Sequence, residues 1–309
     1  MKITTGSIRF FKISSTEELI GVVWLDGNNF NIYQLDETGI KNKKTYSLSE
    51  DIGRDVDCLY INKYQRIVCI FSYKDSNGEY SCQVNIFTGS ETNFVSNTKT
   101  LDDCYNHLSR KIRGNTENNE DSDIFYYYYV GTNGIAHIMP LKLKSTNSIE
   151  KVDSNYEYRY EVLKGCDQNQ GSFDFAEDKF LGYNVFSCVE STYSTKIKIQ
   201  LFKIENGLIT FSNGDIDNPY IYTDKDFPSS EISMINFVVL KESLNFGFLS
   251  YRIEGKAKYT IINQPTCSDI NIRNTNFFQF GETEVNFNNF IINDNYDGGE
   301  FIIVDYNPG

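Results

Sequence analysis

The sequence predicts an all-β fold, a β-propeller of about six blades, or seven, with one short inserted helix. Three observations carry this reading. Short apolar runs with period-two alternation dominate the chain, as half-buried strands require. Aromatic residues make up 15% of it, with 22 Tyr and 23 Phe, and such side chains suit a pleated surface. One pattern also recurs in six units: a polar loop, an apolar strand, a turn, usually with Gly or Asn, and a second strand, the sixth unit having only its first strand.

The first unit runs through Glu18–Trp24, a turn at Asp26–Asn29 and a strand at Phe30–Leu35. The second has Arg66–Phe71, a turn at Asp75–Gly78 and Tyr80–Phe87. The third has Asp123–Val130, a turn at Gly131–Gly134 and Ile135–Leu141; its tyrosines Tyr126 to Tyr129 alternate across the strand, two to each face. The fourth has Phe180–Phe186, a polar turn and Lys196–Ile204, and the fifth Phe246–Tyr251, Glu254–Lys256 and Tyr259–Ile262. The sixth is Phe301–Tyr306, with no second strand after it. Leu19, Ile67, Ile124, Leu181, Phe246 and Phe301 open these units, 48 to 65 residues apart. Repeats of roughly 40–60 residues suit propeller blades, which bury their faces against one another. The run Ile3–Phe11 has no partner of its own. It is expected to complete the blade begun at Phe301 and so close the ring.

Thr100 to Ile112 is the inserted-helix candidate. Thr100 caps it, acids occupy its first turn, bases its last, and Leu101, Tyr105, Leu108 and Ile112 share one face. Gly114–Ser122 follows as a surface loop. No Pro- or Gly-rich linker interrupts the chain, so a single domain over residues 1–309 is expected, with an insertion at 100–122.

The formal net charge is −13, with one short basic cluster at Arg110, Lys111 and Arg113. That excludes a nucleic-acid footprint and disfavours anionic membranes. No stretch approaches the roughly 18 apolar residues of a spanning helix. The N-terminus lacks the apolar core of a signal peptide, so cytoplasmic synthesis is expected, with leaderless export open. The seven cysteines, Cys58, Cys69, Cys82, Cys104, Cys166, Cys188 and Cys267, form no C-x-x-C pair. They are read as reduced core residues, with one or two disulfides as the alternative. Trp24, the single Trp, lies at a strand end and is read as core.

Two loops have oxygen-bearing residues at alternate positions. Asn293, Asn295 and Asp297 precede Gly298, with Glu300 close behind, and Asn115, Glu117, Asn119 and Asp123 form the second set. These segments resemble the acidic loop of FG-GAP or VCBS-type repeats, which runs D-x-D-x-D-G into a strand. Phe173–Asp178 and Ser14–Leu19 retain less of it. Such repeats build integrin-type propellers, fungal propeller lectins and the propeller region of insecticidal toxin-complex B components. The resemblance implies a docking surface and Ca²⁺ loops. The first set offers one certain carboxylate among its alternating positions, with Glu300 as a further one. Calcium takes six to eight oxygens, so binding there would be weak and not required for folding.

Other chemistry lacks support. Cys104 and His107 are i,i+3 on the helix candidate, but His137 is the only other histidine, short of a zinc set. Phosphate-binding and nucleophile-elbow motifs are missing from the sequence. The expectation is therefore a noncatalytic module that docks a protein partner, in the manner of a toxin-complex component. The alternatives are a carbohydrate-binding propeller lectin and a glycosidase-like propeller using paired carboxylates.

Overall fold

The structure is a computed structural model. It describes residues 8–12, 20–26, 29–36, 39–47, 52–74, 80–88, 97–101, 111–114, 123–144, 148–152, 154, 159–174, 183–239, 246–254, 256–266, 269–277, 286–292 and 301–306. Among these the backbone is almost all strand, and the one helical turn is the 3-10 turn Asn62–Tyr64. The chain groups into two compact units. The first holds Met1–Tyr128 and Met139–Tyr158, the second Tyr129–Ile138 and Arg159–Asn307.

The first unit begins with an antiparallel sheet of β1 (Ile8–Lys12), β2 (Ile20–Asp26), β3 (Asn29–Asp36) and β4 (Gly39–Ser47), in that order. Phe10 of β1 pairs with Val22 of β2. The proposed ring closure is therefore corrected: residues 8–12 complete the first sheet, not the blade at Phe301. β5 (Ile52–Ile61), β6 (Arg66–Lys74), β7 (Tyr80–Thr88) and β8 (Asn97–Leu101) form the next sheet. Ile67 to Ile70 are buried one after another, so β6 is covered on both faces. The third sheet is built on β9 (Lys111–Gly114), β10 (Ile124–Val130), β11 (Ile135–Lys144) and β12 (Ser148–Lys151).

The inserted helix is a second correction. Both described ends of segment 97–114 are strands, and residues 102–110 lie outside the described set. Ile112 is buried in β9 opposite Tyr127, not on a helix face. The pull is tertiary: the Asp57 carboxylate accepts the Ile112 N–H at 3.0 Å, fastening β9 beside β5. Tyr127, Tyr128 and Tyr129 are all buried, with Tyr126 between buried and exposed, so the tyrosines alternate on a strand whose two faces are both covered.

In the second unit lie the Gly131–Gly134 turn and β13 (Tyr160–Lys164), which pairs with the start of β11. The predicted turn closes as expected: Gly131 accepts the Gly134 N–H at 2.8 Å. The next sheet has β14 (Cys166–Asp174), β15 (Asn184–Glu190), β16 (Ile197–Glu205) and β17 (Leu208–Phe211), with β18 (Tyr220–Tyr222) also on β16. Val185 to Val189 are buried without a break. The strand predicted at Phe180–Phe186 continues to Glu190, and residues 180–182 lie outside the described residues. Another sheet contains β19 (Ile232–Val239), β20 (Phe246–Ile253), β21 (Lys256–Thr266) and β22 (Asp269–Phe277). Ser172 on β14 joins the two sheets, its Oγ accepting the Phe237 N–H at 2.9 Å and contacting Asn236 Oδ1 at 3.1 Å. Last come β23 (Asn286–Ile292) and β24 (Phe301–Tyr306), so the sixth unit finds its partner in the strand before it.

The cysteines differ from the reduced-core reading. Cys58 and Cys69 stand opposite each other on β5 and β6 and are bonded, as are Cys166 and Cys188 of β14 and β15. A strand pair places such sulfurs within reach whenever register puts both on one face.

Candidate functional site

Two polar clusters in the second unit differ in one decisive respect, whether their hydrogen-bonding capacity is used up. The first centres on Asp224, fully buried in the segment after β18. Both its oxygens accept from Lys258 Nζ, at 2.9 and 2.8 Å. It also accepts the Tyr251 hydroxyl and the N–H groups of Asp226 and Phe227. Tyr251 is 2.6 Å from the Tyr222 hydroxyl, and Lys258 reaches Asp226 at 2.9 Å and lies 4.8 Å from the Phe227 ring centre. Burial alone raises a carboxyl pKa, yet the bonds from Lys258 and Tyr251 prevail and hold Asp224 below its ordinary value. Burial, then the bond to Asp224, pushes the Tyr251 hydroxyl far up. Burial opposes the charge on Lys258, but the carboxylates win and raise it. Every strong acceptor here is occupied, so the cluster is an anchor for segment 223–227.

The second cluster leaves one acceptor unused. Period-two alternation puts Cys188 and Glu190 on one face of β15. Cys166 lies opposite Glu190, Lys198 opposite Cys188, and Ile221 opposite Lys198. Lys198 Nζ is 3.7 Å from Glu190 Oε1 and donates to the Lys164 carbonyl at 3.2 Å. Glu190 Oε2 is out of contact with solvent and has no hydrogen-bond partner. Gly165, at φ +69°, makes room for Lys198, because a Cβ there would stand 2.6 Å from its Nζ. Lys164 pairs with Asp217 at 2.9 Å, which raises its pKa.

Glu190 begins the turn to β16. Its carbonyl accepts the Ser194 N–H at 3.1 Å, and Ser194 returns with φ +52°. Between them Tyr193 is 68% exposed, and Ile221 is 48% exposed. The site therefore offers a carboxylate oxygen in need of donors, a lysine beside it, and an exposed aromatic ring on the same turn. An acceptor-only carboxylate next to an ammonium suits a ligand rich in hydroxyl groups.

Sequence reading missed Glu190 because it fell in the polar turn, and Lys198 because it stood unremarked within the predicted strand Lys196–Ile204. A signal was there: Glu190 is the one charged residue of Asn184–Glu190, and Lys198 stands between the buried Ile197 and Ile199. Of the proposed calcium ligands, Asn115, Glu117, Asn119, Asn293, Asn295, Asp297 and Glu300 lie outside the described residues. Asp123 is described: its carboxylate is 3.0 Å from Lys63 Nζ and 3.8 Å from Lys142 Nζ. Among the described residues there is no group of three or more His, Cys, Asp or Glu able to hold a metal ion.

No family model matches the chain. The aspartate carbamoyltransferase catalytic subunit of Brachyspira hyodysenteriae is 26% identical over 155 residues, which is 49% of this chain. The chain spans 41% of the length of that protein, and the likeness shows no family. Among solved structures, a triple arginine-to-alanine mutant of AofleA from Arthrobotrys oligospora is similar with a TM-score of 0.51 and 9% identity, covering 90% of this chain and 72% of that one. The fold is that of a β-propeller. The GH43_1 enzyme from Xanthomonas citri, solved with xylose, is similar at a TM-score of 0.46 and 9% identity, over 87% of this chain and 91% of that one. The expectation of a chain without catalytic activity is therefore corrected, because enzymes stand among the proteins of similar fold. These likenesses give no support to a protein-docking role, and they do not show FG-GAP repeats or a toxin-complex component.

Proposed function

We propose that this chain is a carbohydrate-recognising β-propeller, with the sugar held on the face formed by Glu190, Lys198 and Tyr193. One observation carries the reading: Glu190 Oε2 is shielded from solvent and lacks a hydrogen-bond donor. A buried polar atom left unpaired costs roughly 1–3 kcal/mol, more when charged; the Glu190 side chain is 18% exposed, and a small shift of its carboxylate would bring Oε2 to a ligand hydroxyl that recovers this cost. Lys198 steadies the carboxylate and can donate to a ring or hydroxyl oxygen, while Tyr193 supplies an apolar face for a sugar ring. The net charge of −13 favours a neutral sugar over an acidic one. The fold alone does not assign the activity, which has to be read from the site.

A glycan array followed by titration calorimetry tests this. Wild type is expected to bind one class of neutral sugar, and Glu190→Gln to weaken it by about tenfold or more with its melting temperature unchanged. Failure of the wild type to bind any sugar class, or unchanged affinity in Glu190→Gln, overturns the reading. Reducing ends released in the same incubations report whether the bound glycan is also cleaved.

A further inference from the structure

We infer that the Cys166–Cys188 disulfide positions the Glu190–Lys198 face, so that sugar binding depends on the oxidised bond. For its affinity readout the inference rests on the sugar-binding reading; its structural readout does not.

The geometry is local. Cys166 lies opposite Glu190 and Cys188 opposite Lys198, so the disulfide shares the face that carries both charged residues. Between the pair Cys166–Glu190 and the pair Gly171–Cys188 the register shifts: β14 passes through residues 167–170 while β15 passes only Val189. Over this bulge the ladder between the two strands is interrupted, and the disulfide is the bond that crosses it. Just before the bulge, three successive residues of one segment build the site. Lys164 gives its carbonyl to Lys198, Gly165 gives its carbonyl to the Ser191 N–H at 3.0 Å, and Cys166 holds the sulfur. Releasing that sulfur frees the segment that fixes Lys198, and with it the charge that steadies Glu190. Cys166 and Cys188 are thus positioning residues that act through Lys198.

The Cys58–Cys69 bond is the built-in control. It joins residues paired directly on β5 and β6, in the other compact unit. Reduction by a dithiol breaks the S–S bond; two electrons and two protons pass to the cysteines, and the dithiol closes to its own disulfide. Both sulfurs of the pair are buried, so the exchange proceeds through local opening. A chain that needs this bond gains its binding form where thiols are oxidised.

The test compares three proteins: wild type, the Cys166→Ser/Cys188→Ser double variant and the Cys58→Ser/Cys69→Ser double variant. Each is measured with and without dithiothreitol, below its melting temperature. Amide hydrogen exchange should rise at residues 164–171 and 190–198 in the first double variant and in reduced wild type, and stay at wild-type level there in the second. Affinity for the sugar found on the array should fall by about tenfold in the same two samples and return on reoxidation of wild type. Unchanged exchange at 164–171 in reduced, folded wild type overturns the inference, and so does a fully retained affinity. If the Cys166→Ser/Cys188→Ser variant does not fold, reduced wild type decides by the same readouts. If no sugar binds the oxidised protein, the sugar-binding reading fails, while the exchange data still decide whether the disulfide holds the site.

Discussion

At the scale of single residues, Asp224, Lys258 and Glu190 show how burial separates structure from function. Asp224 and Lys258 are both fully buried and bonded at every strong position. Removing one partner strands the other charge, so Lys258→Met is expected to cost about 3–5 kcal/mol in a denaturant titration. Replacing both, with Asp224→Leu and Lys258→Met together, should cost less than either alone. The pH dependence has a definite sign. Asp224 sits below its ordinary 3.8, so its contribution is present above that value and fades as pH falls through the folded value. Lys258 is raised above 10.5 and Tyr251 above 10.0, so their contributions are complete below those values and fade as pH rises past them. The melting temperature should therefore drop below pH 3.8 and above pH 10 through this cluster. Tyr251→Phe should weaken the alkaline drop, as a pH series of thermal melts would show. Glu190 is the opposite case, a carboxylate whose second oxygen has no partner within the protein.

At the scale of elements, turns and bulges decide where chemistry is placed. Gly165 joins β13 to β14 with φ +69°, a conformation that costs an L-residue about 1–2 kcal/mol. Gly165→Ala is expected to lose that much stability. It should also lower sugar affinity, since the new methyl would displace the Lys198 ammonium. Gly134, at φ +72°, lies 3.1 Å from the Cys166 carbonyl at its would-be Cβ, with backbone as the obstacle. Gly134→Ala should therefore destabilise more than Gly165→Ala, and chemical denaturation of the two variants checks the order. Element by element, legibility followed side-chain pattern. β6, β10, β16 and β20 were readable because buried strands carry unbroken or alternating apolar residues. β14, reading C-D-Q-N-Q-G-S-F-D, was not, because its pairing rests on backbone hydrogen bonds and a bulge that breaks alternation. Ile112 fitted an amphipathic helix equally well, and its pairing with Tyr127 and its bond to Asp57, both across sequence, made it a strand.

At the scale of the molecule, the two disulfides among the described residues and a net negative charge set the behaviour in solution. Cross-linking constrains the unfolded chain, and each bond removed is expected to lower stability by about 2–4 kcal/mol. Full reduction should lower the melting temperature measured by calorimetry. An intact-mass measurement under non-reducing conditions, after alkylation, should find Cys58, Cys69, Cys166 and Cys188 unlabelled. The charge of −13 predicts no retention on DNA or on vesicles of anionic lipid at physiological salt, measurable by co-sedimentation.

Sequence alone determined the all-β class, the repeating units, the turn at Gly131–Gly134 and the sign of the net charge. Each follows from local chemistry: apolar periodicity, Gly and Asn at reversals, and a count of ionisable groups. Tertiary structure decided what lies far apart in the chain. It assigned residues 8–12 to the first sheet, bonded Cys166 to Cys188 across 22 positions, and buried Asp224 beneath Lys258. It also left one oxygen of Glu190 unpaired. The reason is that pairing and burial belong to contacts, and a residue's pattern with its neighbours does not record which distant strand will lie against it.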